Sequence, residues 1–126
     1  MKKLALPPED IIEVEFEVGC FHTGMTKYHF VAMETGSILN ISKWMVPETE
    51  IGLSHYETVE MQKKIGALKI ENWKSHYDNL DVQDGTQWTL IITYTGEKSR
   101  EYGGSNAYPS KWDDLVSIFG YDFKDY

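Results

Sequence analysis

Apolar side chains recur at every second position in two places along the chain. Ile12, Val14, Phe16 and Val18 are interleaved with Glu13, Glu15 and Glu17, and Trp88, Leu90, Ile92 and Tyr94 with Thr89, Ile91 and Thr93. A period of two places each set on one face of a β-strand, and the β-branched and aromatic content fits a pleated surface. Between them, Thr26 to Glu34 puts Tyr28, Phe30 and Ala32 on one face and His29, Val31 and Met33 on the other. Apolar groups on both faces predict a central strand. Gly19 to Gly24 and Thr35-Gly36 read as turns. Ser37 to Met45 reads as a third strand, with Leu39, Ile41 and Met45 beside Lys43 on one face and Ile38 and Trp44 beside Asn40 and Ser42 on the other. Pro47 is expected to end that strand. The stretch from Glu48 to Tyr56 stays open between strand and loop: it predicts a short strand over Ile51 to His55, or a helix cap over Ser54 to Glu57.

The apolar period then changes. Met61, Ile65 and Leu68 fall at helical spacing and predict a helix over Thr58 to Leu68, weakened at Gly66. Lys74 to Asp84 is polar and reads as a surface loop, closed by the Asp84-Gly85 turn. The strand holding Trp88 runs into Thr95-Gly96-Glu97-Lys98, a hairpin connection, and returns over Lys98 to Tyr102 as a polar strand ended by Gly103-Gly104. Pro109, or Ser110 as N-cap with Asp113 three residues on, opens a helix. Its stripe is Trp112, Leu115, Val116 and Phe119, and Gly120 is its stop. That stripe is expected to cover the Trp88/Leu90/Ile92/Tyr94 face, because a lone hairpin is marginal in water.

Strands joined by short turns pair antiparallel, and helices segregated between and after them make the class α+β. The expected architecture is a single domain over 9–126: a twisted antiparallel sheet of five or six strands with two helices packed on one face. Pro7-Pro8 marks its start, and residues 1–8 are expected to be a flexible arm.

The C-terminal half resembles a family of small bacterial proteins with no assigned activity. In these an Asp-Gly turn precedes Trp-x-Leu-x-Ile-x-Tyr, then a polar hairpin, Gly-x-Asn-x-Tyr-Pro and an aromatic helix. The matching residues are Asp84-Gly85, Trp88, Leu90, Ile92, Tyr94, Gly104, Asn106, Tyr108-Pro109 and Trp112, with Trp73 upstream. The resemblance implies a fold and no activity.

Charge narrows the classes of function. The chain has 20 acidic and 12 basic residues, a net charge of −8. That balance argues against a nonspecific hold on nucleic-acid phosphate; solubility is the favoured reading of the acidic charge, which would also welcome a partner with a basic surface. Cys20 is the single cysteine, so no disulfide forms within the chain, which fits a reducing, cytoplasmic setting. No apolar run is long enough for a signal peptide or a membrane-spanning helix.

Candidate chemistry is sparse. Cys20 and His22 are close in sequence, but a nucleophile needs an orienting partner and an activating environment, and Cys20 reads as structural. His22, His29, His55 and His76 make no metal-ligand spacing, and no motif implies a cofactor. Gly103 to Pro109 has the glycines of an anion nest without the spacing of a phosphate loop, so a structural corner is the favoured reading over a binding loop. Glu13, Glu15 and Glu17 stand about 7 Å apart on one face. Lys27, Lys43 or Arg100 on neighbouring strands would answer them, or else a basic partner would. The candidate interaction residues are Glu13, Glu15, Glu17, Trp73, His76, Asn106, Tyr108, Tyr121 and Tyr126. The expected function is a non-enzymatic protein-binding module. The alternatives are a small-ligand-binding domain or small enzyme with a pocket near the 73–84 loop, using His76 and Asp78, and an immunity-type or phage-encoded inhibitor protein.

Overall fold

The computed structural model describes residues 6–20, 24–79, 85–96 and 98–121. Seven strands form one sheet: β1 (Ile11–Cys20), β2 (Gly24–Met33), β3 (Gly36–Lys43), β4 (Val46–Ser54), β5 (His76–Asp78), β6 (Thr86–Tyr94) and β7 (Lys98–Ser105). Their order is β4-β3-β2-β1-β6-β7-β5. All neighbours are antiparallel except β5, which runs parallel to β7. Two helices, α1 (His55–Gly66) and α2 (Trp112–Phe119), lie on one face. The class is the expected α+β, with seven strands where five or six were predicted and one parallel pair where all were to be antiparallel. No helix among the described residues is long and apolar enough to cross a membrane.

The core forms between that sheet face and the helices. Val14, Phe16 and Val18 of β1, Phe30 of β2, and Leu90 and Ile92 of β6 have no exposed surface. The expected stripe of α2 is buried as Trp112, Leu115, Val116 and Phe119. Trp112 meets Phe16 edge-on at 5.7 Å and Trp88 at 5.2 Å, while Phe119 lies against Phe16 and Tyr28. The helix therefore covers β1 and β2 as well as the predicted β6 face.

β1 contains a bulge between Ile11 and Glu13. The extra residue turns Ile11 inward and leaves Ile12 38% exposed. Ile12 was expected to share the face of Val14; the bulge flips it, and the rest of the strand keeps its register. The Ile11 carbonyl beside the bulge accepts from the Gln62 side-chain amide of α1 at 2.8 Å. A buried bond of 2.6 Å between Ser37 and Thr58 ties α1 to β3. α1 begins three residues earlier than its apolar stripe indicates, because Ser54 and Glu57 form a reciprocal capping box. Loss of such a cap costs about 1 kcal/mol.

Four other expectations change. Pro47 does not end a strand: it sits at the irregularity between β3 and β4, on an edge strand, the place in a sheet where proline is tolerated. Trp44 and Met45, expected in β3, form the turn of the β3–β4 hairpin, with Met45 at φ 60°. Gly103 and Gly104 do not end β7 but lie inside it, paired with Thr89 and Trp88 on one side and His76 and Tyr77 on the other. A Cβ on Gly104 would fall 2.3 Å from the Trp88 indole nitrogen, so only glycine lets that ring cross. α2 starts at Trp112, after Lys111, with no side-chain cap from Ser110. The Lys111 ammonium instead donates to the Ala67 carbonyl just past α1, at 3.0 Å. Gly120 closes α2 in the left-handed conformation, as expected, with Tyr121 N–H bonded back to the Val116 carbonyl.

Two residues of the expected arm, Leu6 and Pro8, have packed neighbours. Leu6 packs against the core, and Pro8 lies against Gly66, where a Cβ would meet the proline ring at 2.6 Å. Residues 1–5, His22, Asp84, Glu97 and the tail 122–126 with Tyr126 lie outside the described residues.

Candidate functional site

The sheet face opposite the helices is built row by row from strand register. Glu15 of β1 stands between His29 of β2 and Ile91 of β6, with Asn40 and Glu50 beyond His29. Glu13 stands between Val31 and Thr93, and Glu17 between Lys27 and Thr89. β1 is the central strand, so these carboxylates occupy the middle of the face. They share it because they alternate with the side chains buried under α1 and α2.

Two basic side chains lean one row along. His29, directly opposite Glu15, bonds Glu13 through Nε2 at 2.5 Å. Lys27, directly opposite Glu17, pairs with Glu15 at 3.2 Å. Among the described residues Glu17 has no ion-pair partner. Of the three cations expected to answer the glutamates, Lys27 does so and the others face away. Lys43 pairs with Thr26, in the row of Val18, and Arg100 pairs with Ile92. Both therefore belong to the helix side of the sheet, where Arg100 lies 5.5 Å from the centre of the Tyr94 ring.

Glu13, Glu15 and His29 each offer one atom, all within 4.8 Å of one another, a donor set suited to a divalent cation. All three are half-buried and already answered, Glu13 by His29 and Glu15 by Lys27, so the arrangement stands as a ladder of ion pairs.

Of the remaining described candidates, His76 lies on this face, at the far end of the row Glu17, Thr89, Gly103, and the others do not. Trp73 is 8% exposed and packs edge-on against Trp88 and Tyr102, a core ring and not a surface one. Tyr108 lies over Trp112 at 4.9 Å, and Tyr121 meets Tyr28 edge-on at 6.5 Å. Asn106 takes a left-handed turn at φ 58°, and its N–H bonds the Thr86 carbonyl at 2.8 Å. Its side chain fills the space a Cβ on Gly85 would need, and the Ala107 carbonyl accepts from the Trp88 indole at 2.9 Å. Gly103 to Ser105 thus belong to β7, and Asn106 to Pro109 form the corner.

His76 is exposed on β5 and bonds Asp78 at 2.9 Å. It borders a shallow depression with Trp88, Glu101, Tyr102 and Gly103; Asp78 does not line it. Cys20 ends β1, three strands away from β5, about 14 Å at the usual strand spacing. The cysteine, histidine and aspartate of a pocket-based chemistry do not converge. Burial raises the phenol pKa of Tyr28, helped by Tyr121, and that of Tyr94, against the pull of Arg100, each to about 12. Both belong to the core and not to a reactive site.

Two features have no signal in local sequence. His29 is the partner of Glu13 only through a diagonal that register alone defines. The hairpin end Trp44, Met45 and Val46 is 68%, 82% and 53% exposed, although its composition reads as core. Comparison with family models, with curated proteins and with solved structures finds no match for the chain.

Proposed function

We propose that this chain is a non-enzymatic binding module that engages a protein partner with a basic surface through the open face of its sheet. The observation that carries this reading is the placement of Glu13, Glu15 and Glu17 in the centre of the uncovered face, with Lys27 the one lysine directed at them among the described residues. The net charge of −8 adds a field of the same sign, which speeds encounter with a basic surface. Its setting in this reading is the cytoplasm, on the ground of the lone cysteine.

The test is capture of partners from the native cell, with the wild-type chain and with a Glu13→Gln/Glu15→Gln/Glu17→Gln variant that keeps side-chain shape and removes charge. A basic protein held by the wild type, lost with rising salt and weakened about tenfold or more in the variant is the expected result. Equal capture by both chains would overturn the reading.

A further inference from the structure

The two edges of the sheet differ in a way that names how such a partner docks. The β5 edge is three residues long, as short as natural edges that avoid extra pairing. The β4 edge is nine residues long and exposed along its whole length except at Leu53, which is half-buried. Among the described residues its outer N–H and C=O groups form an unpaired ladder, because β4 is the last strand of the sheet. We propose that β4 is a docking edge, onto which an extended segment of a basic partner protein adds as an eighth strand. The charge of the partner rests on the function proposed above; the mode of docking rests on β4 alone.

Side-chain alternation along β4 defines the segment. Glu50 pairs with Asn40 and so points to the open face, and Glu48 reaches Ser42 on that same face, whose hydroxyl donates to it at 3.2 Å. Ile51 pairs with Leu39, and Leu53 with Ser37, so both point to the helix side. A strand laid along this edge meets carboxylates on one face and aliphatic groups on the other. Its complement alternates basic and apolar residues, with its cations continuing the row Glu50, Asn40, His29, Glu15. The exposed Trp44, Met45 and Val46 stand at one end of the edge and offer a terminal apolar anchor.

The same residues select against a second copy of this chain. Pairing two β4 edges brings their Glu48 and Glu50 side chains together, within a complex of two chains each carrying −8. Pro47 at the irregularity shortens the flat part of the edge further. These features blunt self-association and accept a cationic strand.

The experiment uses the full chain and a synthetic peptide of strictly alternating Lys and Val as long as β4, with binding read by fluorescence anisotropy. Two further peptides carry N-methyl groups on alternate residues, one set on the odd and one on the even positions. A strand pairs through only one of its two edges, so one N-methylated peptide should lose binding and the other keep it. A Glu48→Gln/Glu50→Gln variant, both side chains being exposed, should keep its melting temperature and lose about tenfold in affinity. Equal binding by both N-methylated peptides, by a block peptide of the same composition, or no binding of the alternating peptide, overturns the docking edge. So does concentration-dependent dimerisation of the chain that competes with the peptide. Binding lost in the Glu48/Glu50 variant but kept in the Glu13/Glu15/Glu17 variant upholds the edge and removes the open face from the function. The reverse pattern upholds the open face and removes the edge.

Discussion

On β1, Val14, Phe16 and Val18 are fully buried, while Glu15 and Glu17, their immediate neighbours, are half-buried on a face that no helix covers. The same contrast crosses the sheet: Tyr28 and Phe30 against Lys27 and His29, and Leu90 and Ile92 against Thr89 and Ile91. One backbone ladder thus serves two surfaces with different energetics. The helix side is held by burial, at roughly 1.5–3 kcal/mol for each large apolar side chain removed from water. The open side is held by little of its own, since exposed ion pairs such as Lys27–Glu15 are worth about 0–1 kcal/mol. Stability belongs to one face, and the other is the one the proposed binding would use.

The largest effect should come from emptying the covered side. Trp112→Ala removes a ring that is 5% exposed and packed on Phe16, Trp88 and Tyr108, and is expected to cost about 3–5 kcal/mol in denaturant unfolding. A variant of unchanged stability that fails to bind would move Trp112 from the core to an interface and dissolve the contrast. Gly104→Ala should cost about 1–3 kcal/mol, because the added methyl group meets both the Trp88 indole and the Ala107 carbonyl, 2.7 Å away.

Alkaline pH should weaken the covered side through its phenols. Tyr28 and Tyr94 have folded pKa values of about 12 against an ordinary value of 10.0. A raised pKa means the fold favours the neutral phenol. The stabilisation is therefore complete below pH 10.0 and is lost as pH rises through about 12. Phenolate absorbance followed alongside circular dichroism should show these two tyrosines ionising late, with loss of structure. Early ionisation with the fold intact would place them outside the core.

Much of the covered side was legible in the sequence because it rests on local periodicity. The β1 and β6 alternation, the α2 stripe and the Gly120 stop each depend on residues within one element. Two failures are local, the early start of α1 and the absent Ser110 cap of α2, and the larger ones involve distant pairing. The Ile11–Glu13 bulge exists only against β6, and Gln62 on α1 takes up its carbonyl. β5 is a strand because Gly103 and Gly104 of β7 offer it an edge; His76, Tyr77 and Asp78 carry no strand pattern of their own. Trp73 reads as a surface aromatic from its polar neighbours and is buried by rings 15 and 29 residues further on, Trp88 and Tyr102. On the candidate site, alternation alone placed the three glutamates on one face. Their pairing by His29 and Lys27 needed the β1–β2 register, and the exposure of β4 needed the strand order.

The division between a structural and a recognition face meets its most direct test in the Glu13→Gln/Glu15→Gln/Glu17→Gln variant. The measurement is its affinity for the basic partner captured by the wild type, beside its unfolding free energy. Stability within about 1 kcal/mol of wild type and affinity lower by about tenfold or more are expected. A variant that loses several kcal/mol of stability, or one that is as stable as wild type and binds as tightly, would contradict that division.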